Sequence, residues 1–166
     1  MGIERFPFFL LTFVVNNILN MDLREAQKLA ESLMDKHLSD CENYWIFKFD
    51  NAKKRFGQCK WGSGEYVISL SRHLTLLNGV DQVRDTILHE IAHALDVNDR
   101  GYSNHDANWR QIALRIGCNG ERCYSSKEVV QPESKYTVKC TNCNNEFKAM
   151  RKPRRSSNAC GRCCKI

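Results

Sequence analysis

Val83-Arg84-Asp85-Thr86-Ile87-Leu88-His89-Glu90-Ile91-Ala92-His93-Ala94-Leu95-Asp96-Val97 is the stretch on which the fold turns. Val83, Ile87, Leu88, Ile91, Ala94 and Leu95 recur at helical spacing, which predicts a helix from about Asp81 to Val97 that buries them. Within it His89 and His93 are one turn apart, so both imidazoles reach a single ion from the same face. Glu90 is rotated about 100° from His89 and can face a water on that ion without being a ligand. An unpaired His or Glu inside an apolar helix would be costly. The helical His-Glu-x-x-His pattern is one in which zinc takes both imidazoles and the carboxylate serves as general base. The chemistry expected is metal-assisted hydrolysis of a peptide bond, with Glu90 taking a proton from water and passing it to the leaving amine.

Catalytic zinc needs a third protein ligand and one open position. A ligand six residues after His93 would be Asp99, but the Gly that accompanies it in metzincins is replaced by Asp96. His105 is the better candidate, because it ends a loop and opens the next helix, although a helix-capping role is the alternative. Asp96 and Asp99 are candidates to orient the ligand imidazoles.

Working outward, Leu23, Ala26, Leu29, Ala30, Leu33, Met34 and Leu38 predict a helix over 22–38 with Asp22 as its N-cap. Ala107 to Ile116 returns to helical spacing, closed by Gly117. Tyr44 to Phe49, Phe56 to Trp61 and Glu65 to Leu70 read as short strands, the last two divided by Gly62-Ser63-Gly64. The fold class expected is α+β: a compact zincin-type domain of about three helices over a small antiparallel sheet, followed by a small zinc ribbon. If Tyr66 to Leu70 is the sheet edge above the cleft, it can hold an extended peptide by main-chain pairing.

Cys140-Thr141-Asn142-Cys143 and Cys160-Gly161-Arg162-Cys163 enclose sixteen residues, the spacing of a four-cysteine zinc ribbon. Such a closed thiolate site replaces the core that about forty residues cannot build. Cys164 is an alternative fourth ligand to Cys163. Cys41, Cys59, Cys118 and Cys123 are expected to behave as small buried residues. Two zinc ions follow, one catalytic and one structural.

Between the cysteine pairs lie Phe147, Lys148, Arg151, Lys152, Arg154 and Arg155. Residues 126–166 carry ten Lys and Arg against three acids, a charge of +7, so with a net charge of +6 residues 1–125 carry −1. The tail is therefore where a polyanion such as DNA is expected to bind, by Lys and Arg on phosphates and Phe147 on a base. Nine cysteines, four of them in Cys-x-x-Cys pairs, suit metal thiolates in a reducing, intracellular compartment better than a disulfide framework. The apolar run Phe6 to Val15 lacks the flanks of a signal peptide and is too short to span a bilayer, which takes roughly 20 residues. The expected organisation is a dispensable extension over 1–21, a catalytic domain over 22–125 and a basic ribbon over 126–166. The apolar periodicity fades around Pro132. No membrane partner is expected, and the chain is expected to be a monomer.

His89-Glu90-x-x-His93 with His105 and Trp109, preceded by Arg55-Phe56-Gly57-Gln58-Cys59 and Ile68-Ser69-Leu70-Ser71, resembles the SprT-like metallopeptidases, and 136–163 resembles the ribbon that closes many of them. The resemblance covers about residues 22–166. It implies a zincin in which Glu90 is catalytic and His89, His93 and His105 bind zinc. Spartan-type members cleave proteins covalently trapped on DNA, with DNA activating the peptidase, which implies repair of DNA-protein crosslinks in the nucleus or another DNA-containing compartment. The sequence ends at the ribbon, without the long tail by which large eukaryotic members bind the sliding clamp or ubiquitin, so recruitment to replication forks is not implied. The reading from a different class is a zinc-containing DNA-binding accessory protein of transcription or replication with little or no proteolysis; the intact Glu90 favours the peptidase.

Overall fold

The computed structural model describes residues 20–122, 129–152 and 159–163. The expected extension over 1–21 lies outside them except for Asn20 and Met21. The chain divides into two compact units, Met1–Gln131 and Pro132–Ile166. The sequence-based boundary at 125/126 comes earlier because the periodicity says nothing of Val129 and Val130. Val129 is buried, and Val130 exchanges two hydrogen bonds with the Asn78 side chain, at 2.7 and 3.0 Å.

In the first unit α1 (Leu23–Leu38) starts where Asp22 accepts from the Arg24 N–H, and buries Ala26, Ala30, Leu33, Met34 and Leu38. Three strands follow: β1 (Ile46–Asp50), β2 (Gly57–Lys60) and β3 (Val67–Ser71). The sheet order is β1-β3-β2. β2 and β3 form an antiparallel hairpin over Gly62, Ser63 and Gly64, all at positive φ. β1, however, runs parallel to β3, so the sheet is mixed and not antiparallel as expected. The reason is burial: β3 is buried along its whole length and must be flanked on both sides, so β1 takes its far edge by a crossover rather than pairing with β2.

The register sets Phe47, Ile68 and Cys59 side by side, and likewise Phe49, Leu70 and Gly57; Gly57 meets Glu90, so this row faces the helices. A further helix, α2 (Arg72–Leu77), follows β3 directly; its six residues are too few to display a period. Then come α3 (Val80–Arg100) and α4 (Ala107–Ile116). Val83, Ile87, Leu88 and Ile91 of α3 share one core with Ala30, Leu33, Ile68, Leu70 and Ile112. The helices therefore number four among the described residues, one more than the periodicity predicts.

The second unit contains a hairpin of β4 (Tyr136–Lys139) and β5 (Glu146–Ala149), with Val138 opposite Phe147. Together the elements make an α+β chain with a cluster of four cysteines near its C-terminus. Among the described residues no helix is long and apolar enough to cross a membrane.

Candidate metal centre

α3 is the scaffold of the centre. Gly101 closes it in the left-handed conformation at φ 77°, its N–H bonded to Val97 O at 2.7 Å. The chain then needs only Tyr102 to His105 before Asp106 caps α4 by accepting from the N–H groups of Asn108 and Trp109, at 3.0 and 3.1 Å. This short return brings His105 back over α3. His105 Nε2 lies 2.9 Å from His89 Nε2 and 3.1 Å from His93 Nε2. All three ligand atoms fall within 4.8 Å of one another.

These separations pass a direct test of fit. Nitrogens bound at about 2.0–2.1 Å to one tetrahedral ion lie roughly 3.3 Å apart. Two of the imidazoles are also prepared to be ligands. Burial, then the neighbouring His93 and His105, pushes His89 down to about 3, and burial followed by His105 pushes His93 down to about 4, so both rings are neutral at physiological pH. His93 Nδ1 is bonded to Ser103 Oγ at 2.7 Å, and the His89 ring to the main-chain carbonyl of Glu121, which fixes both rings. Trp109, buried on α4, lies against all three, with ring centroids 4.5–5.2 Å away.

Glu90 is turned from the imidazoles towards β2. A Cβ on Gly57 would lie 2.6 Å from Glu90 Oε1, so only glycine leaves the carboxylate its place. Ser71 N–H donates to Phe56 O at 2.7 Å, which turns the main chain of Phe56 and Gln58 towards β3 and that of Gly57 and Cys59 away from it. The Cys59 N–H accordingly donates to Glu90. Burial pushes the Glu90 carboxyl up to about 8, against the pull of the Cys59 N–H and Arg55. The strand bordering the centre is thus β2, an edge strand; the condition set for the stretch Tyr66 to Leu70, that it form the sheet edge, is not met, because β3 is central.

Several of these partners carry no signal in the sequence. Glu121 acts through its main chain, Gly57 through an absent side chain, and Ser103 as one serine in a loop. Asp96, expected on an imidazole, instead bonds Arg100 and Asn108, and Asp99 is exposed.

The second unit gathers the sulfurs of Cys140, Cys143, Cys160 and Cys163 within 4.8 Å. The Cys140 to Cys143 turn is closed by the Asn144 N–H on Cys140 O at 3.0 Å and the Cys140 N–H on Asn145 O at 2.8 Å. The main-chain N–H groups of Cys143, Cys160 and Asn142 pull the Cys140 thiol down to about 6, towards the thiolate that metals take. Both groups could hold a metal ion, and the donor sets suit zinc. Cys164 lies outside the described residues. Of the expected DNA contacts, Phe147 is half-buried on β5, and Lys148, Arg151 and Lys152 are exposed; Arg154 and Arg155 lie outside the described residues.

The chain is similar to known proteins over most of its length. The SprT-like family model matches residues 26–131, which holds all three histidines, Glu90 and the β2 edge. A "Protein SprT-like" of Staphylococcus carnosus is 25% identical over 144 residues, 86% of this chain and 93% of the relative. One of Staphylococcus epidermidis is 23% identical over 138 residues, 82% and 89% of the two chains. Another of Lysinibacillus sphaericus is 24% identical over 92 residues, 52% and 59%. With the family model matched over more than half of its length, the chain belongs to the SprT-like family.

Proposed function

We propose that the chain is a zinc-dependent endopeptidase of zincin type that cleaves proteins bound or crosslinked to DNA. The observation that carries this reading is the convergence of three imidazole nitrogens at 2.9 and 3.1 Å beside a buried carboxylate that is not one of the ligands. His89, His93 and His105 would hold the ion, which when bound supplies Lewis acidity towards a carbonyl and lowers the pKa of water. The chain's own residues do the rest. Glu90 accepts the proton of the attacking water on its carboxylate and delivers it to the leaving amide nitrogen. The outward main-chain groups of Gly57 and the Cys59 carbonyl, left over when the Cys59 N–H is given to Glu90, offer an extended substrate a strand to pair with, which selects for exposed or unfolded segments over side-chain sequence.

The DNA half of the reading is supported by charge. The +7 of residues 126–166 coincides with the four-cysteine unit, where Arg151, Lys152, Arg154 and Arg155 would contact phosphates and Lys148 and Phe147 the strand. This unit would hold a structural zinc through Cys140, Cys143, Cys160 and Cys163. Its place of action would be a DNA-containing compartment, as a monomer on its substrate.

The test is cleavage of a DNA-bound protein, with and without single-stranded DNA, by the wild-type chain and Glu90→Gln. Wild type should cleave, more with DNA, and the variant should be inactive while retaining its zinc by elemental analysis. Full activity in Glu90→Gln would overturn the mechanism. DNA binding by a wild-type chain that cleaves nothing would identify an accessory protein instead.

A further inference from the structure

The three histidines differ in how they are held. His89 and His93 stand on one helix, and each has a partner for its second ring nitrogen, the Glu121 carbonyl and the Ser103 hydroxyl. His105 is exposed, comes from the connection between α3 and α4, and among the described residues has no such partner. Apart from the Trp109 ring packed beside it, its ring is therefore placed by its backbone. Whatever holds residue 106 holds His105, since adjacent Cα atoms are only about 3.8 Å apart.

Residue 106 is held by an ionic bridge that is anchored on a buried carboxylate and touches no imidazole. Asp96, fully buried three residues beyond His93, receives both Nε and Nη2 of Arg100, at 2.8 and 2.6 Å. The other side of the same guanidinium donates to both oxygens of Asp106, at 3.0 and 3.2 Å. Asp96 also accepts from the Asn108 side chain at 2.6 Å, while Asp106 caps α4 through the N–H groups of Asn108 and Trp109. One planar cation thus ties the last turn of α3 to the first turn of α4, on either side of His105 and beside the tryptophan that walls the site. A burial this costly for Asp96 is repaid only while the whole bridge is in place.

We infer that the Asp96–Arg100–Asp106 bridge is the positioning device for His105 and sets how tightly the three-histidine site holds its ion. This rests on the reading of that site as a metal centre. Arg100 acts through His105, so its effect on the metal vanishes when His105 is absent. A bridge that merely stabilised the fold would weaken metal binding with or without that ligand.

The experiment is a mutant cycle on the full chain, with zinc per chain measured by elemental analysis after dialysis against graded chelator. The cysteine-bound zinc serves as the internal constant. Arg100→Gln should lower the chelator concentration that strips the first zinc by about tenfold, and Arg100→Lys by less, since an ammonium keeps the charge between the carboxylates although it cannot span both in register. In a His105→Ala background the same changes should shift it less than about twofold. Equal shifts in both backgrounds, or none with His105 present, would overturn the inference. A wild-type chain holding only the cysteine-bound zinc would overturn the metal reading itself and the bridge's role with it. Should Arg100→Gln fail to fold, Arg100→Lys with and without His105 makes the same comparison.

Discussion

Glu90 and Gly57 form a pair in which a missing side chain matters as much as a present one. Gly57→Ala would put a Cβ 2.8 Å from Glu90 Cγ and from Thr86 Cγ2, both held by α3, so neither can simply swing aside. The expected cost is about 1–3 kcal/mol of stability. Moving the carboxylate by a fraction of an ångström should lower kcat by about a hundredfold, with zinc content unchanged. Peptidase kinetics beside elemental analysis check this. The titration of the site gives a second prediction, for the chain without an ion between the histidines. Glu90 sits at about 8 folded against an ordinary 4.5, so the unfolded chain releases that proton first and stability falls as pH rises from about 4.5 to about 8. His89 and His93, at about 3 and 4 against an ordinary 6.5, act in the opposite sense: the unfolded chain takes up protons first, and stability is lost as pH falls below 6.5. Glu90→Gln removes only the alkaline loss. Its Tm without metal should exceed that of the wild type at about pH 8 and converge with it near pH 5, and a pH-independent difference in thermal unfolding would exclude the buried carboxyl as the cause.

Among the elements, α2 shows what periodicity cannot see. Six residues give no repeat, yet the helix starts at a defined place because the buried Ser71 Oγ accepts from the Leu74 N–H at 3.1 Å and donates to Ala52 O at 2.6 Å. That one hydroxyl joins the end of β3, the start of α2 and the loop before β2. Ser71→Ala should therefore cost about 1–2 kcal/mol, more than a surface cap, read as a lower midpoint in urea with unchanged slope. β2 illustrates the reverse case. Its hairpin with β3 is legible in Gly62-Ser63-Gly64, but that it is the edge beside Glu90 depends on β1 taking the other side of β3, which no local signal specifies.

For the whole molecule, the end of the first unit decides where it can be cut. A chain ending at Gln131 keeps Val129 in the core and Val130 on Asn78; one ending at Ser126 loses both and leaves the buried Asn78 amide without its Val130 partner. The shorter chain should be less stable by about 2–4 kcal/mol, while the longer one should melt like the intact first unit. Either should retain at most one zinc and lose most DNA affinity. Within the full chain, Ala at Arg151, Lys152, Arg154 and Arg155 should weaken DNA binding similarly across sequences, flattening the log-log salt dependence by up to about 0.9 for each duplex phosphate that is no longer neutralised. Cleavage of DNA-bound protein should fall much further than cleavage of a free peptide, because only the former depends on tethering. Anisotropy over a salt series with an unchanged slope would remove these residues from the interface.

Whatever rests on spacing along a single element was legible before folding is considered. His89 and His93 one turn apart, Glu90 rotated between them, Asp22 and Gly117 as helix ends, and the two Cys-x-x-Cys turns are all set by the period of a helix or the reach of a short loop. His105 was legible as a candidate because Trp109 and Ile112 mark the helix it precedes. Tertiary structure alone decided what comes from elements distant in the chain. The parallel partner of β1, the close approach of Gly57 to Glu90, the Glu121 carbonyl on His89 and the turning of Asp96 from the imidazoles to Arg100 all depend on which surfaces meet. A backbone carbonyl, a glycine and a buried ion pair leave no period in the sequence, because their roles come from what packs against them and not from their neighbours along the chain.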